Sequence, residues 1–144
     1  MTQGPSLLER VASEWEQTPT GRHLGIKVTA ASAGYAKLRL TLQDWMVNAD
    51  DGSLHGGILA TLADMAVGAA LWTVYDVGTE IAGHTTTDLN ITYLAPGTTA
   101  EVTAEGRALR KGRTLFVGTA EMKDTNGRML AAARATYMVF RRES

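Results

Sequence analysis

The chain has no cysteine among its 144 residues. That excludes disulfides, thiolate metal sites, iron–sulfur clusters and a cysteine nucleophile, and leaves the compartment open. An excess of charge of one sign is lacking too, with fourteen Lys and Arg against fifteen Asp and Glu. No net field remains to hold a nucleic acid or an anionic membrane, so the expected partner is a small molecule. Residues 1–20 lack an apolar core and carry three Glu, which argues against a secretory signal and makes the cytoplasm the expected location. With 44% hydrophobic residues, residues 1–144 suit a single domain that buries roughly 70% of its unfolded surface. Residues 1–20 are its helical N-terminal extension.

Only one apolar run is long enough to suggest a membrane, Gly56 to Tyr75, twenty residues with Asp64 as their single charge. A carboxylate at mid-membrane costs about 3 kcal/mol or more, and no Lys or Arg flanks the run. The better reading is a helix buried on all sides in a water-exposed domain.

Around that helix the pattern is regular. Residues 5–17 read as a short amphipathic helix, ended by Pro19, Thr20 and Gly21. Two short strands follow, Leu24–Ala30 and Tyr35–Leu42, with a turn at 32–34. An irregular stretch, 43–55, delivers the chain to Gly56-Gly57. After the helix come four longer strands, Glu80–Leu94, Thr99–Leu109, Thr114–Lys123 and Met129–Arg141. Gly- and Pro-bearing turns separate them, and neighbours in sequence are expected to pair as hairpins. This order gives an α+β domain, a curved antiparallel sheet around one central helix. One sheet face cannot bury a helix that is apolar all round, so a second subunit is expected to help cover it.

Asp64 is the unusual residue. Its helical neighbours Ala60, Thr61, Val67 and Gly68 offer no cation. Burial without a cation favours its neutral form, while the helix N-terminus favours the charge. It is either a catalytic carboxylate or a buried acid satisfied by a hydroxyl or backbone donor from a strand. Gly56 and Gly57 open the helix, and their N–H groups suit a developing negative charge, or simply a tight junction. His55 is a cap or a site residue, and Asn48 an oxyanion donor or a turn residue. Arg107, Arg110, Lys111 and Arg113 gather at a turn that either clamps phosphate or faces solvent. The three histidines show no metal-ligand spacing.

Taken together, Leu54-His55-Gly56-Gly57, Leu62-Ala63-Asp64-Met65, Thr86 to Pro96 (TTDLNITYLAP) and Leu109 to Thr114 (LRKGRT) resemble the hotdog-fold acyl-CoA thioesterases of the phenylacetate-pathway type. The resemblance spans about residues 24–140. It implies hydrolysis of aryl- or medium-chain acyl-CoA thioesters to acid and CoA, with no cofactor, coenzyme A being part of the substrate. Asp64 takes the place of the catalytic base or nucleophile, and Gly57 that of the backbone donor to the thioester oxygen. Asn48 assists the oxyanion, His55 stands beside the site, and Thr86 positions water or acid. Gly56, Arg110, Lys111 and Arg113 take the substrate- and CoA-binding places. The family builds each site between two subunits, as a dimer or a dimer of dimers. One departure is an apparent extra residue between Asn48 and His55.

Two other readings stay open from sequence. Hotdog hydratases pair an acid with a histidine, and Asp50 and His55 loosely resemble that pair. The other is a module of this fold that binds acyl-CoA without cleaving it, against which the joint presence of Asp64, Gly57 and Thr86 argues.

Overall fold

A computed structural model describes residues 3–143. Helix α1 (Leu7–Gln17) begins in a capping box. The Ser6 hydroxyl accepts the Glu9 N–H at 3.1 Å, and the Glu9 carboxylate accepts the Ser6 N–H at 2.9 Å. Thr18 and Pro19 then start a second short helix, α2 (Pro19–Leu24), rather than a loop. Thr18 caps it by accepting the Gly21 N–H, and proline fits the first helical position. Pro19, Thr20 and Gly21, expected to stop one helix, instead form the first turn of another, so the first strand begins later than expected, at Lys27.

The strands are β1 (Lys27–Ser32), β2 (Tyr35–Thr41), β3 (Ile81–Tyr93), β4 (Glu101–Lys111), β5 (Leu115–Asp124) and β6 (Met129–Arg141). They form one antiparallel sheet in the order β1-β2-β4-β5-β6-β3. The expected hairpins occur at β1–β2, β4–β5 and β5–β6, but β3 and β4 do not pair. Pairing with β6 places β3 at the far edge. Residues 94–100 carry the chain back across the sheet end, where the Gly97 carbonyl accepts the Leu54 N–H and the Ala100 carbonyl accepts the Leu42 N–H. Alternation fixes which face a residue takes and not which strand lies beside it, so the Ala95-Pro96-Gly97 turn resembled a hairpin.

The long helix α3 (Gly56–Trp72) lies in the concave face of the sheet. It ends three residues before Tyr75, where the apolar run stops. Leu38 and Leu40 of β2, Val102 and Ala104 of β4, and Phe116 and Met122 of β5 are fully buried against it. Gly106 of β4 admits the closest approach. A side-chain carbon there would overlap the Ala66 main-chain carbonyl of α3. The curved sheet covers most of the helix but, as expected of one sheet face against a helix apolar all round, not all of it. Besides Gly56, Ile58 and Trp72 near its ends, which are partly buried, what stays open is one stripe, exposed at Gly57 and partly buried at Ala60, Thr61 and Asp64, at i, i+3, i+4 and i+7. Among the described residues, no helix is long and apolar enough to cross a membrane.

Candidate active site

The open stripe of α3 runs from Gly57 to Asp64 and carries the helix's only charge. Asp64 finds its partners on the two strands beside it. Thr86 of β3 donates its hydroxyl to Oδ1 at 2.8 Å. The Tyr137 hydroxyl, from β6, lies 2.8 Å from the same Oδ1 and 2.6 Å from the Asp64 main-chain oxygen. Among the described residues, Oδ2 receives no hydrogen bond.

Behind this carboxylate is an aromatic wall. The Trp72 indole N–H donates to His84 Nε2 at 3.0 Å, so the imidazole carries its own proton on Nδ1. Trp15 of α1 stacks on the His84 ring with centroids 6.2 Å apart, and Tyr137 meets it edge-on at 5.5 Å. Burial lowers the His84 pKa, partly offset by the charge of Asp64. Burial first, then the charge of Asp64, pushes the Tyr137 phenol far above its usual range.

At the other end of the stripe His55 is the N-cap of α3. Its Nδ1 accepts the Gly57 N–H at 2.9 Å, so the cap holds the donor proposed for an oxyanion. Gly56 lies under the ring of Tyr93, whose hydroxyl donates to the Gly56 carbonyl at 2.6 Å. Asn48 closes its own loop. Its amide donates to the Ser53 hydroxyl at 3.1 Å, and that hydroxyl donates to Asp51 Oδ1 at 2.7 Å. The Ser53 backbone and hydroxyl donors hold the Asp51 carboxyl below its ordinary range. Asp50 accepts the Asp51 N–H, so the hydratase-like pair Asp50 and His55 spend their side chains on separate local bonds.

The basic turn divides. Arg110 and Arg113 line a surface pocket with Gly112, Thr114, Leu115 and Val117. Lys111 turns away from it, 3.3 Å from Glu80 and 4.6 Å from the centroid of the Tyr75 ring.

The structure thus brings Asp64 and Thr86 into contact. It sets His55, Gly56 and Gly57 at the helix start, Asn48 in the preceding loop, and, of the four basic candidates, only Arg110 and Arg113 around one pocket. Sequence reasoning missed Tyr137, and His84 beside Asp64. The signal for Tyr137 was present: on β6 the inward positions Ala131, Ala133, Ala135, Tyr137 and Val139 hold one polar group, opposite the only acid of the helix.

Comparison with known proteins adds the following. The profile of the thioesterase superfamily matches residues 51–131. Over 137 residues the chain is 31% identical to the medium/long-chain acyl-CoA thioesterase YigI of Salmonella typhimurium, with 84% of this chain and 85% of that one covered. A Shewanella oneidensis protein related to the thioesterase superfamily superposes with a TM-score of 0.80 at 26% identity, covering 92% of this chain and 95% of that one. The PaaI protein of the E. coli phenylacetic acid degradation operon superposes with a TM-score of 0.80 over 94% of this chain and 96% of its own. At 23% identity that second likeness speaks for the fold alone. The curved sheet around a central helix is the hotdog fold.

Proposed function

Because the chain belongs to the thioesterase superfamily and is a thioester hydrolase, we propose that it cleaves acyl-CoA, with Asp64 as the reacting carboxylate. The observation that carries this is the partly buried Asp64 on the open stripe of the helix, with two hydroxyls on one oxygen and, among the described residues, no donor on the other. The ionised oxygen either attacks the thioester carbon, expelling CoA as the thiolate and leaving an acyl anhydride on Asp64 that water hydrolyses, or takes a proton from a water that attacks that carbon, the proton passing to the departing CoA thiolate. The Gly57 N–H donates to the thioester oxygen once His55 gives it up to the substrate.

Gly57 and Asp64 are seven residues apart on one helix, about 10 Å along its axis. One protomer cannot bring both to the same carbonyl. That spacing supports a homodimer in which Asp64 and Thr86 of one subunit face Gly57, His55 and Asn48 of the other. The long edge strand β3, which carries Thr86, has one side unpaired and suits that contact. CoA phosphates would meet Arg110 and Arg113. The chain's likeness to YigI, a medium/long-chain enzyme by name, supports medium-chain acyl groups; the PaaI-like motifs keep aryl groups on the panel.

Thiol release from phenylacetyl-, benzoyl-, hexanoyl- and palmitoyl-CoA tests the proposal. The protein has no cysteine, so every thiol detected comes from CoA. Release by the wild type that falls at least ~100-fold in Asp64→Asn, about 2.7 kcal/mol of barrier, is the expected result. Equal release by both proteins would remove Asp64 from the mechanism, and no release from any thioester would favour a binding module.

A further inference from the structure

We infer that Tyr137 is a positioning residue for Asp64, its hydroxyl fixing the carboxylate so that Oδ2 is the oxygen offered to substrate. This rests on the thioester hydrolysis proposed above. A phenol has one hydrogen to donate, and here two acceptors of the same residue lie within reach, Oδ1 at 2.8 Å and the main-chain oxygen at 2.6 Å. While Asp64 is ionised the charged Oδ1 is the stronger acceptor. Once Oδ2 has taken a proton or an acyl group, Oδ1 loses most of its negative charge. The phenol hydrogen then swings to the main-chain oxygen by rotation about its own C–O bond. The buried hydroxyl therefore keeps an acceptor in both states, and the cost of an orphaned donor does not arise.

The placement is built into the fold. Gly68, one turn beyond Asp64, leaves the space the phenol fills; a side-chain carbon there would stand 3.0 Å from the Tyr137 oxygen and overlap Trp15. The phenol's ionisation lies far above its ordinary value, so Tyr137 donates a hydrogen bond and does not surrender its proton. Among the described residues, the titratable groups that meet the carboxylate are His84 from β3, kept neutral by burial, and Tyr137 from β6. From α1 comes only the ring of Trp15, over Gly68.

Tyr137→Phe removes the hydroxyl and little else. On hexanoyl-CoA its kcat should fall about 10- to 100-fold, the range for one hydrogen bond to a charged group, with KM unchanged. The acid limb of its pH–rate profile should move to higher pH, since the charged carboxylate has lost a donor. A kcat and an acid limb equal to those of the wild type would overturn the inference. A readout independent of activity is the 13C carboxyl signal of Asp64, identified by its loss in Asp64→Asn. Its titration midpoint should be higher in Tyr137→Phe than in the wild type, and an equal midpoint would overturn the inference even if no thioester is cleaved. If the variant does not fold, the phenol 13Cζ signal of Tyr137 in the wild type should step at the Asp64 midpoint; no step there would overturn it.

Discussion

His84 lies among three aromatic rings with its Nε2 occupied by the Trp72 indole, so the fold holds it neutral. As pH falls through about 6.5 the unfolded chain takes up a proton at this histidine, while the folded chain does so only at lower pH. Its contribution to stability is therefore complete above about pH 6.5 and is lost as pH falls from there through the folded-state value. Urea unfolding at about pH 8 and about pH 5.5 should show a larger loss for the wild type than for His84→Gln. Equal losses would mean that His84 titrates alike in both states. The two arginines give a second residue-scale prediction. Replacing Arg110 and Arg113 with Ala should raise KM for acyl-CoA about tenfold and leave kcat nearly unchanged. The KM for a short thioester without phosphates should not move. Lys111→Ala should leave KM for acyl-CoA unchanged, because Glu80 and Tyr75 occupy that side chain. At this scale the sequence disclosed Asp64 through its lack of a helical cation, and the pairing with Thr86 only by resemblance. Tyr137 stayed hidden because it is 73 residues from Asp64 in the chain and its partner depends on which strand lies beside which.

Among the elements, α3 and the strands that hold it set the geometry of the site. Alanines on the inward face of β6 and the glycine at 106 let the sheet come close to the helix. Gly106→Ala places a carbon against main chain that cannot swing aside, and should destabilise the fold by about 3 kcal/mol or more in urea unfolding. A cost below about 1 kcal/mol would show that the sheet can move off the helix with ease. The start of α3 and both ends of β6 were legible because their patterns are strong and those ends are marked, whereas α3 stops at Trp72, three residues before its apolar run does. Helix α2 was not, since Thr18-Pro19 can both end one helix and cap the next. The order of β3 and β4 was not legible either. A seven-residue connection, 94–100, can close a hairpin or cross a sheet end, and only its bonds to Leu42 and Leu54 decide between them.

Across the whole molecule, balanced charge leaves recognition to local groups, and the open stripe of α3 puts an exposed helix start and the partly buried Asp64 carboxylate on the same side. In the proposed dimer, Asp64 of one subunit and the Gly57 N–H of its partner act on one thioester. Subunit mixing tests this most directly. Asp64→Asn supplies a subunit without the carboxylate, and Gly57→Pro one without the N–H, at a first-turn position where proline is tolerated. Each alone should be nearly inactive. After equal amounts are unfolded together and refolded, about half of the dimers are mixed, and one of the two sites in each is intact. The account predicts hexanoyl-CoA hydrolysis at about a quarter of the wild-type rate. A mixture no more active than the mean of its two parents would contradict it.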